Sequence, residues 1–283
     1  MNLKSKKLLF LFFFESFLYF LIFSLAIFSA KKVERVFKAQ KIPPPPQISV
    51  LEFSLNIFFA TVFLLFVIWF FKKKETKGKV FRAIFLISVF LGGVMLLEIW
   101  IPEPTPLIFI SLFVIWWLKD PNVLNQNLLI SLGIAGVGCV LGLRLKPETV
   151  IFLLIVFSIY DFIAVYKTKH MVKIAKEMIE HKAILGIVIP QNFSDFKTKL
   201  EMAKPGENFV VLGGGDILFP LMLSVSLIKN GIFQSFLISL FSLIGLFLNF
   251  VFLFSQKERK PIPALPLISL FSILGFIFLK ILK

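Results

Sequence analysis

Apolar positions along this chain come in blocks, not in the alternation of a half-buried strand or the single stripe of a surface helix. The blocks cover approximately residues 8–30, 50–71, 80–101, 105–118, 128–143, 149–166, 211–228, 233–254 and 265–282. An apolar run of about 18 residues suffices to cross a bilayer as a helix. The fourth and fifth blocks are short, but the polar linkers 102–106 and 120–126 mark them off. The pattern predicts an all-α polytopic membrane protein, a bundle of nine transmembrane helices. So little polar sequence remains that 1–283 reads as a single membrane domain: helices one to six over 1–166, a long loop over 167–209 and helices seven to nine over 210–283.

The connecting segments carry their own patterns. Four prolines at 43–46 favour polyproline II, a stiff spacer. In the sixth loop Met171, Ile174, Ala175 and Met178 recur at helical spacing among lysines and glutamates, which predicts an amphipathic helix lying on the membrane surface. Pro205 and Gly206 then break the helix, and Phe209, Val210, Val211 and Leu212 form a short β-prone run that ends at three glycines. The ninth block opens on Pro261, Pro263 and Pro266. Each biases its predecessor away from helix, so Ala264 and Leu265 are expected in extended backbone. Such backbone is tolerated at membrane depth where it lines a cavity.

Charge sets the orientation. The chain holds 31 Lys+Arg against 16 Asp+Glu, with a mean hydropathy of +0.92 and 38 Phe. Alternating the segments places roughly 21 of the basic residues on the side of the N-terminus and the sixth loop, and about 10 on the other. The N-terminus and the sixth loop are therefore expected in the cytoplasm and the C-terminus outside the cell membrane. The basic first loop, 31–47, runs against the trend. No basic domain stands apart from the apolar blocks, so the excess charge points to lipid head groups and not to nucleic acid. The first block is longer than a signal-peptide core and reads as a retained span. Trp69, Trp100, Trp116 and Trp117 lie near block ends and read as interfacial anchors. Cys139, the single cysteine, reads as a packing residue, and His170 and His181 lack metal-ligand spacing. No metal or other cofactor is expected. Gly138 and Gly142 have the G-x-x-x-G spacing, read as packing within the bundle, with homo-oligomerisation as the minor alternative.

The acids inside the blocks carry the chemistry. Asp161 follows Tyr160 in the sixth block, and Asp216 follows Gly213, Gly214 and Gly215 in the seventh. A carboxylate in hydrocarbon costs a few kcal/mol or more, so an intramembrane acid marks function by default. Two carboxyls sharing one proton supply both a base for water and an acid for a leaving nitrogen, which is what peptide hydrolysis needs. The glycines offer conformations closed to other residues and close backbone approach. A transmembrane helix must unwind before attack, and the edge at 209–212 offers it a strand to pair with. Glu15 is a third intramembrane acid, expected to face a wet cavity or pair with a lysine. Glu52 and Glu98, near block ends, read as structural.

Tyr160-Asp161, Gly213-Gly214-Gly215-Asp216 and Pro263-Ala264-Leu265 resemble the Y-D, G-x-G-D and P-A-L motifs of the presenilin and signal peptide peptidase family, on the sixth, seventh and ninth blocks in the family's order. Tyr166-Lys167-Thr168-Lys169-His170-Met171 and Asp216-Ile217-Leu218-Phe219-Pro220 resemble the archaeal members most. The resemblance implies an intramembrane aspartyl protease that cuts transmembrane peptides or proteins in the lipid bilayer, with Asp161 and Asp216 as catalytic pair. Tyr160, Leu212, Gly213, Gly214, Gly215, Pro263, Ala264 and Leu265 would shape the site, Gly214 at the motif's variable position. It also implies action without obligate accessory subunits. Two rivals share some of these features. A proton- or ion-coupled transporter also buries acids in broken helices, usually with inverted repeats, and no repeat is evident here. A prepilin-type G-x-G-D peptidase has fewer spans and no P-A-L.

Overall fold

The computed structural model describes residues 3–43, 45–70, 74–169, 177–203, 209–256 and 260–282. Helices α1 (Leu3–Ala39), α2 (Val50–Phe70), α3 (Lys74–Glu98), α4 (Thr105–Lys119), α5 (Val123–Arg144) and α6 (Pro147–Phe162) come first. Then follow α7 (Gly214–Ser226), α8 (Ile232–Ser255) and α9 (Leu265–Ile281). Among the described residues, five helical stretches are long and apolar enough to cross a membrane: Lys7–Ala39, Gly78–Glu98, Val123–Arg144, Pro147–Lys167 and Ile232–Ser255. Their outward faces are apolar. Phe13 and Phe233 are each about two-thirds exposed, as is Phe63 of α2 outside these five stretches, as suits contact with lipid tails.

The interior is built on small residues, which let helices approach without a hydrophobic drive between them. Gly92 of α3 meets Gly133 and Gly136 of α5 backbone to backbone, leaving no room for a Cβ. Gly138 and Gly142 press against Leu221 and Val225 of α7, so that spacing serves packing inside the bundle. The short α7 packs against α1, α5, α6, α8 and α9.

Several expectations from the sequence are revised. The first helix runs to Ala39, well beyond the apolar block, because Glu34 pairs with Lys31 at 2.7 Å and Lys38 at 2.6 Å and continues it in polar surroundings. At 37 residues it is about 55 Å long, more than a bilayer core needs. The fifth helix starts at Val123, not 128: Asn122 and Asn125 form a reciprocal capping box, and Asn125, Gln126 and Asn127 are helical and buried. Trp117 is no interfacial anchor. It is fully buried, donates its Nε1–H to Gln126 Oε1 at 2.9 Å and packs on Phe85. Trp100 is half exposed but tied to Ser29 Oγ, Trp116 stays at the surface, and the Trp69 side chain lies outside the described residues. Glu15 is buried, and among the described residues no cation pairs with it, contrary to one of the two expectations.

The fold is not all-α. The expected strand forms as β2 (Phe209–Gly213), but it pairs antiparallel with an unforeseen partner, β1 (Gly186–Pro190). The register runs from Gly186↔Gly213 to Pro190↔Phe209. A Cβ on Gly186 would collide with the Leu212 carbonyl, so glycine there lets the strands close. Most of the expected amphipathic helix, with Met171, Ile174 and Ala175, lies outside the described residues, as do Pro205 and Gly206. Met178 and Ile179 pack against the core. His181 stacks on Phe81 and fills the space beside Gly78.

Candidate active site

Asp216 stands where β2 turns into α7. Gly213 is the N-cap, Gly214 and Gly215 open the helix, and Asp216 is the third helical residue. From that position a carboxylate reaches back toward the N-cap amide, and the Asp216 carboxyl lies beside the Gly213 main chain. The expectation that these glycines supply unusual backbone angles does not hold. Gly213 has φ −62° and ψ 142°, open to any residue, and among the described residues Gly231 is the glycine at positive φ. Their contribution is proximity instead. A Cβ on Gly213 would lie 2.9 Å from Asp216 Oδ2, and one on Gly214 would lie 3.0 Å from the Leu185 carbonyl. That carbonyl accepts the Gly214 N–H at 2.8 Å. Gly215 is exposed and would touch only the Phe219 ring, at 3.7 Å.

Asp161 lies at the end of α6, just before a π-helical turn, Ile163–Lys167, closed by the Thr168 N–H onto the Ile163 carbonyl at 3.0 Å. Such turns recur at functional sites. Its carboxyl faces the main-chain N–H of Leu265, the first residue of α9, and its Oδ2 is buried without a partner. The amides of a helix's first turn have no intrahelical acceptor, and the N-terminal end favours negative charge. Pro266, inside the same turn, loses nothing by lacking an N–H. Ala264 is helical in backbone, at φ −86° and ψ −37°, and Leu265 is in the helix, so the expected extended segment stops at Pro263. The bias against helix before proline yields to packing. Leu265 is buried in one cluster with Leu153 and Leu154 of α6 and Met222 and Leu223 of α7.

The two carboxyls are near enough for their charges to interact, and among the described residues neither has an ion-pair partner. Each lies beside a main-chain N–H at a helix start. The structure thus brings Asp161 and Asp216 within electrostatic reach of each other, Asp216 beside Gly213 and Asp161 beside Leu265, with Pro263 and Ala264 buried next to Leu265. The Leu212 side chain, by contrast, is buried in the core. Tyr160 is about half exposed on α6 and interacts with Asp161 through space. Among the described residues no group of three metal-ligating side chains occurs.

Three residues near this region escaped notice in the sequence. Tyr19 of α1 is fully buried and interacts with Asp216 through space. A tyrosine is a signal in a chain with 38 Phe and 3 Tyr, since phenylalanine is the default filler there. Gln126 and Asn127 hold the strand β1: Gln126 Nε2 donates to the Ile184 carbonyl, and Asn127 bonds both main-chain groups of Val188.

The family described as signal-peptide peptidase, presenilin aspartyl protease matches residues 16–282. The chain belongs to this family. Membership makes it a multi-pass membrane protein and an intramembrane aspartyl protease. Two solved structures share its fold. Each is of a presenilin family intramembrane aspartate protease, one in a C222 crystal and one in a P2 crystal. The first is 21% identical with a TM-score of 0.60, covering 93% of this chain and 97% of that one. The second is 20% identical with a TM-score of 0.54, covering 93% and 96%. No curated protein matches the chain significantly in sequence. Neither the transporter nor the prepilin-type reading is favoured by these findings.

Proposed function

We propose that Asp161 and Asp216 are the catalytic pair of this protease and that its substrates are transmembrane segments. The observation that carries the reading is the pair itself. Two carboxyls from α6 and α7 interact electrostatically, each lies beside a main-chain amide at a helix start, and among the described residues neither has a cation to neutralise it. One protonated and one ionised carboxyl hydrolyse a peptide without a covalent intermediate. The ionised one takes a proton from water as the oxygen attacks the scissile carbonyl. The protonated one polarises that carbonyl and a proton then passes to the departing nitrogen. Asp161 Oδ2, buried and unpartnered, is a natural place for the water or the carbonyl.

The substrate must present an unwound stretch, and the edge of β2 away from β1 offers it main-chain partners leading to Asp216. Pro263, Ala264 and Leu265 form the opposing wall by fixing the start of α9 against Asp161. In the membrane we place nine spans, with the N-terminus and the loop between α6 and α7 in the cytoplasm and the C-terminus outside. The asymmetry of basic residues supports this orientation. The protease works without accessory subunits. The deciding experiment reconstitutes the purified protein in liposomes with synthetic transmembrane peptides and identifies products by mass spectrometry. Cleavage inside the apolar stretch is expected, and Asp161→Asn and Asp216→Asn should each abolish it while the protein stays folded. Full cleavage by either variant would overturn the dyad.

A further inference from the structure

We infer that Asn127 of α5 is a positioning residue that fixes where the substrate is cut, acting through the two-stranded sheet and touching no reacting atom. The inference rests on the reading that substrate pairs with β2. Asn127 is buried, its Nδ2–H donating to the Val188 carbonyl at 2.7 Å and its Oδ1 accepting the Val188 N–H at 2.8 Å. A primary amide making both bonds to one strand residue takes the place of a neighbouring strand. It closes the outer edge of β1, which would otherwise compete with β2 for any extended peptide.

The same two bonds set the phase of the sheet. The N–H and C=O of a strand residue point to one side. Since those of Val188 point at Asn127, they point away from β2. Val188↔Val211 is therefore a non-hydrogen-bonded pair, and the main-chain groups of Val211 face outward, to the open edge. The Gly214 N–H bond to the Leu185 carbonyl, three residues past Val211 and just beyond the end of β2, gives the same phase independently. By that alternation Gly213 also turns its N–H outward, toward the side where the Asp216 carboxyl lies. The open edge thus offers Val211 and then ends at the catalytic carboxyl. A slip of β1 against β2 by one residue would turn Val211 inward and withdraw the Gly213 N–H from Asp216. Asn127 resists that slip from outside the sheet, and neighbouring Gln126 anchors the chain just before β1 through the Ile184 carbonyl.

The test compares wild type with Asn127→Leu, of similar size but without hydrogen-bonding groups, in liposomes with one transmembrane peptide. The expected result is a KM raised about tenfold, kcat changed less, and products spread over bonds neighbouring the wild-type cut. A generally loosened fold would lower activity without moving the cut. A second peptide carries an ester in place of the amide nearest the cut on the side that pairs with Val211. If wild type cleaves ester and amide peptides alike, the strand-pairing reading fails, and this inference with it. If the ester weakens cleavage but Asn127→Leu keeps the wild-type KM and product pattern, the inference fails and strand pairing stands. Should the leucine variant not fold, Asn127→Ser, which cannot bond both groups of Val188, carries the same comparison and is judged by the same two outcomes.

Discussion

The three consecutive glycines before Asp216 are chemically identical, yet the structure predicts three different results for Gly→Ala. At Gly213 the backbone suits alanine, so no conformational strain arises, and lost freedom in the unfolded chain favours the variant by about 0.4–1 kcal/mol. The new methyl, however, stands 2.9 Å from Asp216 Oδ2, where ordinary contact begins at 3.4 Å. The carboxylate must withdraw by about 0.5 Å, away from the N–H it faces. A misplacement of 1 Å can cost about 100-fold in rate, so the shift alone predicts about tenfold. A weaker hold of the helix-start dipole on the carboxyl charge, worth up to about 2 kcal/mol, adds up to about a further tenfold. Gly213→Ala should fold normally and lose about 10- to 100-fold in kcat.

At Gly214 the methyl would stand 3.0 Å from the Leu185 carbonyl, a main-chain atom fixed by the sheet. Stability and activity should therefore fall together. At Gly215 it would meet only the Phe219 ring at an ordinary 3.7 Å, and alanine is the better helix former by about 1 kcal/mol. Gly215→Ala should melt no lower than wild type, and any loss should fall on KM, because only an arriving substrate meets that exposed face. The assay is steady-state cleavage of a fluorogenic transmembrane peptide in liposomes beside a thermal melt of each variant. Wild-type kcat for Gly213→Ala would refute the argument, since it would mean that the Gly213 contact does not hold the working carboxylate. Identical behaviour of all three would do the same.

Three further outcomes follow from the same geometry. Cleavage rate against pH should be bell-shaped, falling at low pH as both carboxyls hold protons and at high pH as neither does; a flat profile with chemistry rate-limiting would contradict the dyad. Leu265 is buried between α6 and α7, whereas Leu274, in the far half of α9, is 41% exposed. Leu265→Ala should therefore cost stability by about 2–5 kcal/mol and reduce cleavage more than Leu274→Ala; equal effects on cleavage would reduce Leu265 to packing. Trp117→Phe leaves the buried Gln126 Oε1 without its donor, for a loss of about 1–3 kcal/mol in a denaturation experiment, with little change in kcat for the folded fraction.

The two aspartates and the prolines before α9 were legible because each violates its apolar surroundings, and the strand before the glycines because a β-prone run there lies between a Pro-Gly break and the glycines. What stayed hidden depends on partners distant in sequence. β1 is a five-residue apolar run between Gly186 and Pro190, but a lone short run becomes a strand only when β2, more than twenty residues on, pairs with it. Asn125 and Gln126 fall in the polar linker 120–126, and Asn127 just before the fifth block. Their bonds to the Asp120, Ile184 and Val188 carbonyls make them interior polar groups instead. Trp117 sits where an anchor belongs, and only the packing of Phe85 over it decides otherwise. Local rules also failed where tertiary contact was stronger, as with Leu265, helical although it precedes a proline.

Each departure from regular helix near the site has a further consequence. The start of α7 at Gly214 and the start of α9 at Leu265 each expose main-chain N–H groups that no helix turn can satisfy. In hydrocarbon an unsatisfied amide costs several kcal/mol, and so does an unsatisfied carboxylate. The structure sets one defect beside the other: the Gly213 N–H faces Asp216 and the Leu265 N–H faces Asp161. Neither acid needs a cation, and a cation would be harmful, since an ion pair would hold its carboxyl ionised and block the sharing of a proton. The broken helices are thus the means by which two acids remain at membrane depth in a form that can exchange protons. Repairing either break, for example by replacing the prolines before α9 with helix formers, should leave an acid unpaired and lower stability and cleavage together.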